Sequence, residues 1–512
     1  FPVSFGRVFG RLSYTYEDGK LSFNNSLGVP FNEEIRGDDR NVIDAQIGTH
    51  ALSNVAAQGD DGAGTGSKIG ISGAVSLSLL DHQANSLVSS GANLSGAHVG
   101  VGADVRLPRD FSALGAAKPD FSSFDAFKDS LGAAKDLISD PSSLFTTYGS
   151  AKASADSAAV GGVISYFNAV NQASATVARG ASITATSNDT QPWSVQLLGA
   201  DASGQARSKQ FDQAVAIAAT TEVVSLHAAG DLGLSLDRVS VADGGVAVGG
   251  SVGLIDYDNR AQALVEDGVV INSAADVGVT AANRETILSL ALQSGQGGSI
   301  GVNGTMSYAD VDSVTVAGVS DRASINAGRL LVDASEDLFV WSVAGAVTMS
   351  DQMSVGVSVA VQDLDTDTRA FIGKVGSQAG SAGTFTLDQL DVQARSQGMA
   401  GAVAVAGAVA KSKSAQQEQE EEQRRRNNPS FIDKLKTKAD GKVTALEDLA
   451  DNALGEKAEA LADMFDDAHA TLETSGGGNK QQMAKPSYGL AVSGSGTVNL
   501  VNQSTVASVE GA

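Results

Sequence analysis

Apolar residues alternate with small or polar ones along much of this chain, as in Val246-Ala-Val-Gly-Gly-Ser-Val-Gly-Leu and Met353-Ser-Val-Gly-Val-Ser-Val-Ala-Val. A period of two with β-branched enrichment predicts strands, and the Gly-rich and Asp/Asn-rich breaks between runs predict turns. The runs Ala214 to Ala219, Thr286 to Leu292, Phe339 to Val347 and Met399 to Ala410 carry the same signal.

The strands recur as a phrase: a small apolar strand, one or two acidic residues, Ala-x-Val, then Gly-Ala-x-Ile. It spans Gly73 to Leu94, Gly162 to Ile183, Gly250 to Ile271 and Gly304 to Ile325, with fainter copies at Val357 to Ile372 and Gly494 to Val509. Aligned on the Ala, one column reads Ser86, Ala175, Ala263, Ala317, Ala370, Ala507. Two residues later it reads Val88, Val177, Val265, Val319, Ile372, Val509, and thirteen earlier Gly73, Gly162, Gly250, Gly304, Val357, Gly494. The middle copies are spaced by roughly 53–54 residues, a period that signifies stacked supersecondary units. Gly at an inward-facing column would let neighbouring sheets approach closely. The pattern predicts a mainly β chain, a parallel β-solenoid of imperfect repeats.

Two stretches break the alternation. Residues 109–156 place Phe111, Phe121, Phe124, Phe127, Leu131 and Leu137 at helical spacing, with Asp120 and Ser123 available as caps. Residues 411–486 open with the charged run Glu418 to Glu422 and Arg424, Arg425, Arg426. They continue with Phe431, Leu435, Val443, Leu446, Leu449, Leu454, Leu461 and Phe465 at helical spacing. Both are expected to be helical insertions. The expected organisation is a strand-rich N-terminal segment over 1–66, with Phe1 to Phe23 in strands and Asn24 to Ser67 irregular. Solenoid repeats then occupy 67–108 and 157–410, and a truncated repeat 487–512.

Composition narrows the picture. Gly (58) is abundant, aromatics are 5% and Pro is scarce (8). That suits a thin, close-packed β body and argues against a disordered stalk. The net charge of −24 disfavours nucleic acid, whose phosphates need clustered Lys and Arg. The absence of cysteine accords with export through an envelope. No stretch is long and apolar enough to span a bilayer and no signal peptide opens the chain, so no transmembrane segment is expected. A start at Phe1 and a stop at Ala512 inside a repeat read as a piece of a longer polypeptide.

The phrases Gly249-Gly-Ser-Val-Gly-Leu-Ile-Asp-Tyr-Asp-Asn-Arg-Ala-Gln-Ala-Leu-Val-Glu-Asp-Gly and Thr368-Arg-Ala-Phe-Ile-Gly resemble repeats of the leukotoxin-type filamentous adhesin family, giant secreted β-helical surface proteins of bacteria. The resemblance covers about two-thirds of the chain, and the two insertions depart from its plain pattern. It implies export to the bacterial cell surface, an extracellular role in attachment or in a fibre, and no catalytic residue.

Candidate chemistry is sparse. Seven residues before the repeat Ala stand Asn168, Asp256, Asp310 and Asp363. Five before it stand Asp81, Asp258, Asp312, Asp365 and Asn502. Alternate residues of a strand share a face, so Asp256 with Asp258, Asp310 with Asp312, and Asp363 with Asp365 are weak calcium candidates. The bland reading is a solvated edge leading into a turn. Repetition argues against a glycosidase pair, which is built once. Gly249 to Gly253 matches G-x-S-x-G, but the flanks are strand-like and none of His50, His82, His98, His227 and His469 has a catalytic context. Arg36-Gly-Asp38 is a candidate attachment tripeptide. Phe121, Phe124 and Phe127, and Arg424 to Arg426, are candidate contact residues toward copies of this chain, neighbouring segments, or a host or neighbouring cell surface.

The expected function is a stiff repeat stalk in a secreted bacterial surface adhesin or extracellular filament, without enzymatic activity or a required cofactor. The alternatives are a β-helical protein that binds or cleaves glycans, and the stalk of a delivered toxin.

Overall fold

The computed structural model describes residues 10–17, 20–27, 40–44, 48–57, 69–107, 145–155, 157–188, 193–200, 206–211, 213–230, 240–242, 245–375, 381–410 and 490–510. These are all strand and turn, with no helix among them. In chain order the strands are β1 (Gly10–Glu17), β2 (Lys20–Leu27), β3 (Arg40–Asp44), β4 (Thr49–Ala57), β5 (Ile69–Val88), β6 (Asn93–Gly96), β7 (Val99–Leu107) and β8 (Thr147–Ala155). Then come β9 (Ala158–Val177), β10 (Ser182–Ala185), β11 (Trp193–Ala200), β12 (Ala206–Phe211), β13 (Val215–Gly230), β14 (Ser240–Ala242) and β15 (Val246–Val265). The chain continues through β16 (Val270–Ser273), β17 (Val277–Gly297), β18 (Ile300–Ser320), β19 (Ser324–Ser350), β20 (Met353–Gly373), β21 (Phe385–Ala410) and β22 (Leu490–Val509).

Two parallel sheets dominate. The first has six strands in the order β22-β20-β18-β15-β9-β5. The second has twelve, along β3-β7-β13-β8-β14-β17-β19-β16-β10-β6, with β21 on β19 and β4 on β8. Between consecutive strands of the first sheet the chain passes through the second, so the two sheets are built together. β1–β2 and β11–β12 form separate antiparallel pairs.

The repeat columns are structural columns. Ser86, Ala175, Ala263, Ala317, Ala370 and Ala507 pair in succession across the first sheet, as do Val88, Val177, Val265, Val319, Ile372 and Val509. Both columns point between the sheets. Ala175, Val177, Ala263, Val265, Ala317 and Val319 are fully buried, and Ile183, Ile271 and Ile325 close the same core from the second sheet. Burying each Val or Ile contributes about 1.5–3 kcal/mol. The strands of the first sheet end in turns that stack on one another. Gly91, Gly180 and Gly268 take φ of 71°, 71° and 66° there, the left-handed conformation only glycine adopts freely.

The structure corrects three expectations. The Gly73, Gly162, Gly250, Gly304 and Gly494 column faces outward: a Cβ at Gly162, Gly304 or Gly494 would meet nothing within 4 Å. The close approach of the sheets falls on the other parity, where a Cβ on Gly149 would lie 2.6 Å from Val163 Cγ1 and one on Gly301 2.6 Å from Thr348 Cγ2. Within the expected helical stretch 109–156, Thr147–Ala155 is β8, its small Ala151, Ala153 and Ala155 buried in strand alternation. Within the expected irregular stretch, β3 and β4 join the second sheet against β7 and β8. Phe121, Phe124 and Phe127, the Arg36 tripeptide and all of 411–486 lie outside the described residues.

Candidate functional site

Two groups of carboxylates stand at one level of the fold, one on each side of the first sheet. On its outward face the acidic columns stand in register. Asn168, Asp256, Asp310 and Asp363 form one row, and Asp258, Asp312, Asp365 and Asn502 the next. Strands about 4.8 Å apart bring like charges side by side. Amides and a phenol answer part of that repulsion. Asn168 donates from Nδ2 to Asp256 Oδ2 at 2.9 Å, Tyr308 donates its hydroxyl to Asp310 Oδ2 at 3.2 Å, and Asn502 donates to Asp365 Oδ2 at 3.4 Å. The rows are half-buried or exposed. Among the described residues no three or more His, Cys, Asp or Glu converge to hold a metal ion, so the arrangement is a ladder rather than a cage. The Tyr166 phenol beside it is raised above the usual tyrosine range by burial, with Asp256 and Asp310 adding to the effect.

Inside the core, at the same level, lies a polar network. His82, Asn171, Asn259, Ser313 and Thr366 form an inward column of the first sheet. His82 Nδ1 lies 2.9 Å from Asn171 Oδ1, and Asn171 donates to Asn259 Oδ1 at 2.8 Å. The second sheet contributes Thr221, Asn283, Glu285 and Glu336. Asn283 donates to Ser313 Oγ at 2.8 Å and accepts a short hydrogen bond from Thr221. Ser313 Oγ lies 2.8 Å from Glu285 Oε1 and 3.0 Å from Glu336 Oε1, and Thr315 donates to Glu336 Oε2 at 2.7 Å.

Glu285 and Glu336 are each only 1% exposed. Burial first, then the neighbouring Glu336 charge, pushes the Glu285 carboxyl well above the usual range. One hydroxyl has one proton, so Ser313 cannot donate to both carboxyls. A proton retained on Glu285 removes the remaining oxygen–oxygen repulsion. The pair can hold a proton, but its burial sets it apart from any dissolved substrate.

A second buried set joins His227 to Tyr257 Oη at 3.0 Å and to Thr147 Oγ1 at 3.0 Å, with the Phe167 ring tilted by 53° against the imidazole at 4.6 Å between centroids. Ser251 of the G-x-S-x-G match is fully buried in the middle of β15, where no strand-to-helix elbow exists. The weak calcium candidates are thus placed together in two rows. The buried Asn–Ser–Glu network escaped sequence reading; the visible signal was Asn283 and Glu285 at alternate positions between Ala281 and Ile287, where apolar residues are expected.

No known protein family, curated protein or solved structure matches this chain.

Proposed function

We propose that this chain is a parallel β-solenoid segment that serves as a stiff stalk in a secreted bacterial surface adhesin or extracellular filament. The observation that supports it is the unbroken in-register ladder from β5 to β22, in which each repeat column continues through six strands. Such a stack resists bending because every added strand brings a full set of backbone hydrogen bonds and a further layer of core. No ligand is needed for that role, and the buried Asn–Ser–Glu network acts in it as a register pin between the sheets.

Electron microscopy of the native protein on its cell surface and after purification tests the reading. Uniform rods, with a thickness that matches two sheets, are expected. Isolated compact particles at all concentrations would overturn it.

One observation favours the glycan-binding alternative: Tyr166, half-buried on the outward face, stands beside the Asp256 and Asp310 carboxylates. Retention on an immobilised glycan that is lost in Tyr166→Ala would shift weight to it.

A further inference from the structure

The first sheet reverses its polarity halfway along its strands. From Gln83 and Arg260 onward toward the stacked turns, outward positions are largely polar and inward ones are Ala, Val and Thr. In the opposite half the pattern inverts. Outward positions there read Ile69, Ile71, Val75, Leu77 on β5, all exposed, Val246, Val248, Val252, Leu254 on β15, and Met353, Val355, Val357, Val359, Val361 on β20, of which Leu254, Val359 and Val361 are buried against Met306 and Tyr308. β9, β18 and β22 follow suit, with Gly and Tyr as the other residues of this face. Inward positions are small or polar, with Ser72, Ser76, Gly249, Ser251, Asn303, Thr305, Ser354 and Ser358 beside Ala74, Ala159, Val163 and Ala247, mostly buried. No outward position of this half carries a charge until the Asp256, Asp310 and Asp363 row.

The second sheet runs antiparallel to the first and repeats the arrangement at the same end. Its outward rows there hold buried Leu288, Leu290, Leu292 and Val343, then exposed Val347 and Met349 on β19 and Met399, Val405 and Val409 on β21, with Ser294 and Gln296 on β17 and Ser150 and Ser154 on β8 as the polar positions. Leu226 and Leu290 are enclosed, whereas Met399 and Val409 are exposed. Among the described residues Lys152 on β8 is the one charged outward side chain in this half, near the strand end, where a long side chain can reach polar surroundings.

The geometry points to a lipid bilayer as the occupant: this end of the body seats in acyl chains, with the acidic rows left in water. Three observations single out lipid. Exposed apolar residues stand on both outer faces at one end, on β5 of the first sheet and on β19 and β21 of the second, whereas a docked protein needs only one face. The height of the apolar band on β15, Val246 to Leu254, is about 26 Å at 3.3 Å per residue, close to the ~25 Å apolar band of strands that cross membranes. The band is bounded by the acidic row on one side and by the polar turns Gly298-Ser299 and Asp351-Gln352 on the other, as a hydrocarbon layer requires.

Apolar-out, polar-in alternation is the lipid-facing form of a strand, and the inverse of a water-soluble one. The ladder from β5 to β22 satisfies the backbone groups between strands, the condition that hydrocarbon imposes. The outer edges of β5 and β22 are costly in lipid, and edge-to-edge addition of a second copy would relieve them. The inference does not depend on the stalk reading.

Flotation of the full chain with phosphatidylcholine vesicles at high salt tests it. Wild type is expected to float, and an Asp312→Asn control to float equally. Val75→Asp with Leu77→Asp on one face, and Val405→Asp with Val409→Asp on the other, are each expected to lower the bound fraction at least tenfold. These positions are exposed or at the sheet edge, and thermal unfolding checks that the variants remain folded. Wild type left at the bottom of the gradient, or folded Asp variants that float as well as wild type, would overturn the proposal. Lipid-free self-association abolished by the same substitutions, with no flotation, would overturn it in favour of contact between copies.

Discussion

Glu285 and Glu336, on neighbouring strands of the second sheet, reach one hydroxyl of the first: Ser313 Oγ, at 2.8 Å and 3.0 Å. The contact ties the register of one sheet to that of the other at a single level of the stack. Both carboxyls are removed from water, so the protonation of Glu285 is coupled to folding.

The sign follows from the raised Glu285 pKa. Between the ordinary glutamate value of 4.5 and the higher folded value, the folded state holds a proton that the unfolded chain has lost. This contribution to stability is complete below the ordinary value and disappears as pH rises. Glu285→Gln keeps the shape and needs no proton, so it is expected to be the more stable protein at alkaline pH, by about 1–3 kcal/mol. Urea unfolding across pH checks this; curves for the two proteins that run parallel at every pH would refute it.

His82 gives the opposite slope. Burial lowers its pKa from 6.5, against the raising effects of its Asn171 hydrogen bond and of Asp81. Below 6.5 the unfolded chain takes up a proton that the folded imidazole refuses, so stability is lost as pH falls through that value. His82→Leu is expected to flatten the slope there. An unchanged slope in thermal unfolding between mildly acidic and neutral pH would assign the effect to another group.

Two glycines three residues apart separate the faces of the first sheet. Gly301 faces Thr348 Cγ2 at 2.6 Å and Met349 O at 3.0 Å, so Gly301→Val should cost about 1–3 kcal/mol through forced separation of the sheets. Gly304 faces open space in a column where Val357 already stands, so Gly304→Val should change stability by less than about 0.5 kcal/mol. Comparison of the two unfolding midpoints decides the matter; equal losses would contradict the assignment of faces.

The Ala column tests the core in the same way. Ala317 is fully buried between Ala263 and Ala370. Ala317→Leu inserts a branched side chain where both neighbours are methyl groups, and is expected to cost about 1–3 kcal/mol. A variant with wild-type stability would show that the column has slack.

Much of the ladder is legible in the sequence. A long repeat with Ala and Val at fixed offsets aligns only one way, and that alignment is the register from Ser86 to Ala507. Strand identity followed from the same alternation. The expected helical insertion over 109–156 extends too far at its C-terminal end, because β8 buries Ala and Gly, which leave little apolar periodicity to read.

The sequence by itself determined that strands of one phrase stack in register, because identical columns bury identical volumes only when they coincide. Only the tertiary structure decided which parity faces inward. Period two is symmetric, and Ser, Gly and Ala pack between close sheets as well as Val and Leu pack between distant ones. The inversion halfway along each strand, and the meeting of Asn259 and Ser313 with Asn283, Glu285 and Glu336, depend on how far apart the two sheets lie. That distance is set by side chains of both sheets together, and no single strand encodes it.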